Sequence, residues 1–177
     1  MSTRVRGAVF LDRDGVLNEA RVTNGRPFPP RRTDDVVMLP GVREACRRLA
    51  DADWLLVVVT NQPDIARGTC TREEVDAINA VVTADLPISE VVVCPHDDAD
   101  GCRCRKPRPG MLLDAALRWD VDLTSSWMVG DRWRDVETGR AASVQTIFVD
   151  RGYSERLSSP PDHTVRDLPE AVEVILR

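Results

Sequence analysis

The chain has 177 residues, which is a usual length for one globular domain with a single core. Its 42% apolar and 30% charged residues exclude a disordered chain. The net charge of −5, with acids and bases interspersed, argues against a surface that binds nucleic acid. The longest apolar run, 54–59, is too short to cross a bilayer, and the run 8–11 is too short for the core of a signal peptide. We therefore expect a soluble cytoplasmic protein with no membrane or nucleic-acid partner.

Runs of β-forming residues alternate with segments of helical spacing along the chain. Strands are predicted at 5–11, 54–59, 90–94, 127–129 and 146–149. Helices are predicted after Pro40, after Thr71, after Pro109, over 135–142 and over 168–176. The third of these helices is expected to bury a stripe of four apolar residues, Leu112, Leu113, Ala116 and Leu117.

This alternation predicts an α/β fold, with a three-layer α/β/α, Rossmann-like parallel sheet in one domain over 1–177. In such a fold, ligands bind beyond the carboxyl ends of the strands, so the residues that follow each strand matter most. The chain has no room for a large cap domain, and we expect a minimal cap. Specificity would then come from the loop after Asn18 and from the segment 94–104.

Two aspartates directly follow the first predicted strand. Asp12 and Asp14 are two residues apart, so in extended backbone their side chains leave on the same side. With Asp131, which follows the fourth strand, they would form an all-oxygen site suited to Mg²⁺. The alternative for an isolated Asp-x-Asp-Gly is a turn that ends a strand. Because Thr60 and Lys106, the only lysine of the chain, follow two further strands, chance is a poor explanation.

Three cysteines and a histidine lie within eleven residues of each other, at Cys94, His96, Cys102 and Cys104. This set matches a closed tetrahedral zinc site, in which all four ligands come from the protein and none is water. We therefore predict a structural zinc that staples the loop 94–104. The alternative is buried cysteines beside a surface histidine, but the intervening Pro, Asp and Gly residues predict a loop without a core. Of the other cysteines, Cys46 is expected in the core and Cys70 receives no function.

Taken in order, these motifs resemble those of the haloacid dehalogenase superfamily of phosphohydrolases. Residues 12–18, Asp-Arg-Asp-Gly-Val-Leu-Asn, resemble its first motif, and Thr60-Asn61-Gln62 resembles the second. Lys106 resembles the third motif, and residues 130–132 with Asp135 resemble the fourth. The Cys-Pro-His and Cys-x-Cys-Arg-Lys-Pro sequences resemble a small-capped branch of D-glycero-D-manno-heptose 1,7-bisphosphate 7-phosphatases and histidinol-phosphate phosphatases. Residues 65–68 and 107–111 are more similar to the heptose enzymes.

The resemblance implies a role for each matched residue. Asp12 would attack phosphorus and become an aspartyl phosphate, while Asp14 would serve as general acid and then as general base. Mg²⁺ would be held by Asp12, the backbone carbonyl of Asp14 and Asp131. Thr60 and Lys106 would hold the non-bridging phosphate oxygens. Asp135 would lie behind the metal ligands or, equally, on a helix surface.

The substrate is expected to be a small sugar phosphate. Five residues are expected to contact it, namely Arg13, Asn61, Gln62, Arg105 and Arg132. The arginines among them exceed the number of cations that one phosphate needs, which favours a sugar bisphosphate as the substrate. The resemblance makes the heptose bisphosphate the preferred substrate, with its 7-phosphate as the group removed. The acids of the loop, Asp97, Asp98 and Asp100, leave open histidinol phosphate, whose amine and imidazole are cationic.

Other functions stay open at this point. Another sugar phosphate is one of them, because Pro63-Asp64 and the segment 20–31 depart from the family pattern. A non-catalytic zinc-stapled binding module would keep the fold without the chemistry, although every catalytic position is intact. A polynucleotide end-phosphatase would need a basic track that this acidic chain does not predict. The resemblance suggests a monomer.

Overall fold

The structure is a computed structural model, and it describes residues 7–177. The first two residues of the strand predicted at 5–11 lie outside the described residues. Eight strands and five α-helices follow along the chain. Their bounds are β1 Ala8–Leu11, β2 Arg21–Thr23, β3 Arg26–Phe28, α1 Val42–Asp51, β4 Leu55–Asn61, α2 Arg72–Thr83, β5 Glu90–Cys94, α3 Gly110–Trp119, β6 Trp127–Gly130, α4 Trp133–Ala141, β7 Gln145–Val149, β8 His163–Val165 and α5 Leu168–Ile175.

Six of the strands form one parallel sheet, in the order β5-β4-β1-β6-β7-β8. β1 lies inside it, with Leu11 opposite Val58 of β4 and Val129 of β6. All four residues of β1 are buried, which explains its uninterrupted apolar sequence. The carboxyl ends of β1, β4, β5 and β6 therefore lie side by side at one edge of the sheet.

Helices cover both faces of this sheet and complete the three predicted layers. On one face, α1, α2 and α5 pack against alternate strand residues such as Val9, Leu56 and Val129. On the other face, α3 and the end of α4 pack against Phe10, Val57 and their neighbours. The α/β class and the sheet are thus confirmed. No helix within residues 7–177 combines the length and apolarity needed to span a membrane.

Three strands of the structure were not predicted from the sequence. β2 and β3 form a separate antiparallel hairpin above the strand ends, and β8 extends the sheet at one edge. Each has three residues, too few for an alternation to be recognised, and β2 is exposed throughout. The hairpin fills the place of a cap domain.

The prediction that Leu117 belongs to the buried face of α3 is wrong. Leu117 is 84% exposed, whereas Met111, Leu112, Ala115 and Ala116 are buried. The helix begins at Gly110, which lies against the backbone of Arg103 and donates its N–H to the Arg103 carbonyl at 3.1 Å.

The two leucines of α3 offer a matched pair for testing this packing. Leu112→Ala removes a fully buried side chain and is expected to lower the free energy of unfolding by about 2–5 kcal/mol. Leu117→Ala in the same helix should change it by less than about 0.5 kcal/mol. Chemical denaturation measures both, and equal losses would contradict the orientation of α3.

Candidate active site

The predicted catalytic residues converge at the carboxyl ends of the strands. Asp12 follows β1, and its backbone N–H donates to the Val129 carbonyl of β6 at 2.9 Å. Thr60 is the penultimate residue of β4, and Asp131 follows β6. Lys106 approaches from the loop between β5 and α3. The sheet topology thus brings four distant segments to one point.

The ammonium of Lys106 lies at the centre of this cluster. Its Nζ donates to Asp12 Oδ1 at 2.8 Å, to Asp135 Oδ1 at 2.6 Å and to the Val59 carbonyl at 3.0 Å. Lys106 is only 3% exposed. Burial alone would lower its pKa, but the charges of Asp12 and Asp135 outweigh burial and raise it. The only lysine of the chain is therefore a buried cation with three partners.

Three carboxylates, those of Asp12, Asp131 and Asp135, have oxygens within 4.8 Å of one another. Both oxygens of Asp131 are buried, and neither has a hydrogen bond of normal geometry within residues 7–177, although the Tyr153 hydroxyl lies nearby. Burial, followed by the charges of Asp12 and Asp135, raises the pKa of Asp131 well above its usual value. Buried carboxylate oxygens without donors are expected where a cation binds, so this donor set fits Mg²⁺.

Asp135 is a buried part of the cluster, and its alternative placement on a helix surface is wrong. It is 2% exposed, with Oδ1 on Lys106 and Oδ2 accepting from the backbone N–H of Arg132 at 3.0 Å. Burial raises its pKa to about 6 against the opposing effect of Lys106. Gly130 makes room for it, because a Cβ there would lie 2.1 Å from the Asp135 Cβ.

The side chain of Asp14 does not join the other carboxylates, in contrast to the site first predicted from residue spacing. Its carboxylate accepts from Arg13 at 2.9 and 3.1 Å, from Asn18 at 3.0 Å and from Gln62 at 3.0 Å. Gly15 directly follows with a φ of +92°, so the chain turns sharply at this point. Asp14 lines the same cavity as Asp12 but is held separately.

Three of the residues expected to contact the substrate make hydrogen bonds within the protein, and two of them, Asn61 and Gln62, also line the cavity. Arg13 is 1% exposed, does not line the cavity and also donates to Asn79 at 2.7 Å. The Asn61 amide exchanges two hydrogen bonds with the backbone of Lys106, at 3.0 and 3.1 Å. Gln62 joins Asp14 to Thr60. Their side-chain groups are already used to orient Asp14 and Lys106.

The Cys/His cluster is also assembled as the sequence predicts. The sulfurs of Cys94, Cys102 and Cys104 lie 3.3–3.7 Å apart, and His96 Nδ1 lies 3.3 Å from Cys104 and 3.7 Å from Cys94. A tetrahedron with Zn–S bonds of about 2.3 Å has edges of about 3.8 Å. The four ligand atoms lie within 4.8 Å of one another, so the donor set fits zinc.

The same loop directs arginines toward the cavity. Arg105 donates to Asp98 Oδ1 at 2.8 Å, and Arg134 of α4 donates to the same oxygen at 3.0 Å. These two guanidinium groups lower the pKa of Asp98 to about 2. Asp97 pairs with Arg67 at 2.7 Å. Two of the three loop acids, Asp97 and Asp98, are therefore partners of arginines.

The site lies in a cavity of about 920 Å³. Its walls are the strand ends, the loop that follows β5, the start of α2 and the β2–β3 hairpin. Arg132 lines it too and forms an ion pair with Glu155. Sequence reasoning missed the cavity residues Arg21, Arg26, Arg31, Arg67 and Arg134, and the density of arginine in 20–31 is the one signal that pointed to some of them.

The contact between Gly15 and Asp131 gives a test of the metal cluster. A Cβ on Gly15 would lie 1.8 Å from Asp131 Oδ2, so Gly15→Ala must displace that carboxylate. Gly68→Ala is the matched control, with a φ of +70° and nothing within 4 Å of the added carbon. Both variants should lose about 1 kcal/mol of stability to backbone strain.

Thermal unfolding with and without Mg²⁺ separates the two effects, because a ligand of the folded state raises the Tm. We expect Gly68→Ala to keep the increase caused by Mg²⁺ and Gly15→Ala to lose it. An undiminished Mg²⁺ response in Gly15→Ala would contradict the proposed use of Asp131 as a ligand.

Comparisons with known proteins agree with this geometry. A family model described as HAD-hydrolase-like matches residues 103–171. The D-glycero-beta-D-manno-heptose-1,7-bisphosphate 7-phosphatase of Pseudomonas aeruginosa is 36% identical over 161 residues, covering 88% of this chain and 88% of the relative. The enzyme of that name from Bordetella bronchiseptica is 38% identical over 149 residues, covering 81% and 80%.

Solved structures show the same relation. The crystal structure of the D,D-heptose 1,7-bisphosphate phosphatase of B. bronchiseptica has a TM-score of 0.82 and 33% identity, covering 96% of this chain and 98% of that one. A HAD-like phosphatase from Mesorhizobium loti has a TM-score of 0.78 and 29% identity, covering 99% and 90%. With relatives 36% and 38% identical over most of its length, the chain belongs to the haloacid dehalogenase-like phosphatases, in the family of the D-glycero-D-manno-heptose 1,7-bisphosphate 7-phosphatases.

Proposed function

We propose that this phosphatase removes the 7-phosphate of D-glycero-D-manno-heptose 1,7-bisphosphate in a Mg²⁺-dependent reaction. The observation that carries the proposal is the convergence of Asp12, Asp135 and Lys106 in a cavity that seven arginines also line, with Asp131 buried directly beside Asp12 and Asp135. A phosphate monoester is a dianion, so a carboxylate nucleophile approaches it only where cations offset the repulsion. The relatives that carry this substrate in their names support the choice of heptose.

In this proposal, Asp12 is the nucleophile. One of its oxygens attacks phosphorus, the bond between phosphorus and the sugar oxygen breaks, and an aspartyl phosphate forms. Lys106 already contacts Asp12 and would neutralise charge on the phosphoryl group as well. Thr60 lies beside it at the end of β4, with its hydroxyl held by Gln62 at 2.9 Å.

Asp14 is proposed to move the protons. It would donate one to the departing sugar oxygen and then accept one from the water that hydrolyses the aspartyl phosphate. Its carboxylate is oriented by Arg13, Asn18 and Gln62 and lines the cavity beside Asp12. Such fixed geometry supports a proton-transfer role, because the reacting oxygen needs a carboxylate within hydrogen-bond distance.

Asp12 and Asp131, with the Asp14 carbonyl that the family resemblance implies, are proposed to hold Mg²⁺. When bound, Mg²⁺ would offset the negative charge shared by the carboxylates and the phosphate. Asp135 would keep Lys106 in place beside these ligands. The B. bronchiseptica relative was crystallised with magnesium and phosphate, which supports this assignment.

The loop acids favour the sugar bisphosphate over histidinol phosphate. A cationic substrate would need unpaired carboxylates in the cavity, whereas Asp98 is paired with Arg105 and Arg134 and Asp97 with Arg67. Asp100 accepts from the backbone N–H of Asp97 at 2.7 Å, as part of the loop itself. Asp97 and Asp98 are thus already paired with arginines, and Asp100 is used by the loop backbone.

We also propose that Cys94, His96, Cys102 and Cys104 bind a structural zinc. All four positions are filled by protein ligands, which leaves none for a reacting water. The bound zinc would fix the segment that leads directly into Arg105 and Lys106. Cys102 already accepts from the backbone N–H of Arg105 at 3.4 Å, which ties the cluster to the active site.

The reaction is tested by phosphate release from both anomers of the heptose bisphosphate and from histidinol phosphate, with Mg²⁺ present. Asp12→Asn should lower release at least about 1,000-fold and Lys106→Met about 100- to 1,000-fold, because each removes charge from the reacting centre. Asp34→Asn, on an exposed turn outside the cavity, is the matched control and should leave the rate unchanged.

A preference for histidinol phosphate would overturn the assigned substrate while leaving the mechanism in place. Equal rates for Asp12→Asn and the unaltered chain would overturn the mechanism.

The zinc proposal is tested by the metal content of two cysteine variants. Cys104→Ser should lose the zinc, lower the Tm and reduce phosphate release, because Arg105 and Lys106 follow this ligand directly. Cys70→Ser, which changes a half-exposed cysteine outside the cluster, should keep about one zinc per chain. Elemental analysis of the purified proteins gives the content, and full zinc in Cys104→Ser would contradict the site.

A further inference from the structure

We propose that three arginines of the segment 21–31, namely Arg21, Arg26 and Arg31, bind the anionic group of the substrate that is not cleaved. This inference rests on the proposed function, in which a second phosphate stands at the other end of the sugar. The segment comprises β2, β3 and the three residues after them. The arginines would make it the element that selects bisphosphates over monophosphates.

The geometry of the hairpin directs these side chains into the cavity. Arg21 lies opposite Phe28, and Thr23 lies opposite Arg26, so Arg21, Arg26 and Phe28 share one face. All three line the cavity, as does Arg31. The guanidinium of Arg21 lies 6.0 Å from the centre of the Phe28 ring, which orients this cation.

The remaining cavity arginines already have carboxylate partners. Arg67 pairs with Asp97, Arg105 and Arg134 pair with Asp98, and Arg132 pairs with Glu155. By contrast, none of the three hairpin arginines makes a side-chain hydrogen bond or ion pair with a residue in the described range 7–177. They are therefore the cavity cations whose donors are free for a ligand.

The charges of the cavity favour the same conclusion. Eight cations and six acids line it, an excess of two positive charges in a chain whose net charge is −5. Each of the six acids already accepts a hydrogen bond from Lys106, from an arginine or from a backbone N–H. These acids are Asp12, Asp14, Asp64, Glu74, Asp98 and Asp135.

Arginine and proline suit this segment to the capture of phosphate. A guanidinium presents several donors in one plane and binds phosphate oxygens in pairs. Pro27, Pro29 and Pro30 lie between Arg26 and Arg31, and Pro30 is buried, so the backbone that carries these arginines is restrained. Less conformational entropy is then lost when the anion binds.

The test measures how strongly a bisphosphate is preferred over the matching monophosphate. Isothermal titration with Mg²⁺, in an Asp12→Asn background that prevents turnover, gives the ratio of the two Kd values. The probes are the heptose 1,7-bisphosphate with the heptose 7-phosphate, and fructose 1,6-bisphosphate with fructose 6-phosphate. We expect Arg21→Gln, Arg26→Gln and Arg31→Gln together to lower the preference about 100-fold and to leave monophosphate binding unchanged.

A second triple variant controls for net charge. Arg32→Gln, Arg43→Gln and Arg47→Gln remove the same three charges from exposed residues outside the cavity, and the preference should persist. The inference is overturned if the variant of Arg21, Arg26 and Arg31 keeps the preference for the bisphosphate, or if both triple variants lose this preference alike. It is also overturned if the chain that retains all three arginines binds the bisphosphate no more tightly than the monophosphate. Absence of phosphate release from the heptose bisphosphate, with the hairpin-dependent preference intact, would overturn only the proposed function.

Discussion

The buried ammonium of Lys106 is the interaction on which the rest of the site depends. It lies between Asp12 and Asp135 and is almost fully removed from solvent. A buried charge is tolerated only where opposite charges and hydrogen bonds replace its lost hydration, so the acids and the lysine must be positioned together. Asn61 holds the backbone of Lys106, and Gly130 leaves room for Asp135. Much of the polar structure around the site therefore serves to place one cation.

A second constraint is that three carboxylates surround this single cation, so negative charge is in excess there. Asp131 is buried with no hydrogen bond of normal geometry within residues 7–177, and its pKa and that of Asp135 are raised by burial and by neighbouring negative charge. A divalent cation among these oxygens would remove this cost, because the ionised forms would then have a partner. The free chain thus holds its acids in an arrangement that a metal ion stabilises.

The loop 94–104 and the hairpin contribute differently to the surroundings of this centre. The loop fixes Arg105 through Asp98 and delivers Lys106, so its cations are neutralised in advance. The hairpin carries Arg21 and Arg26, which have no carboxylate partner within residues 7–177, and both line the cavity. In the proposed function, chemistry and substrate selection would belong to different segments, one that carries four converging potential metal ligands and one restrained by prolines.

The sequence by itself determined the α/β fold and the order of the main strands and helices. It also determined that Asp12, Thr60, Lys106 and Asp131 come together at the strand ends. It could do so because buried parallel strands are continuous apolar runs, and because their carboxyl ends share one edge of the sheet. Only the tertiary structure decided the partners of each side chain. Arg13 proved to be buried against Asn79, and Leu117 proved to be exposed. The burial of Arg13 and the exposure of Leu117 both depend on contacts between segments that are distant in sequence. Such contacts set the rotation of a helix and the pairing of charges, and they produce no local sequence pattern from which either could be predicted.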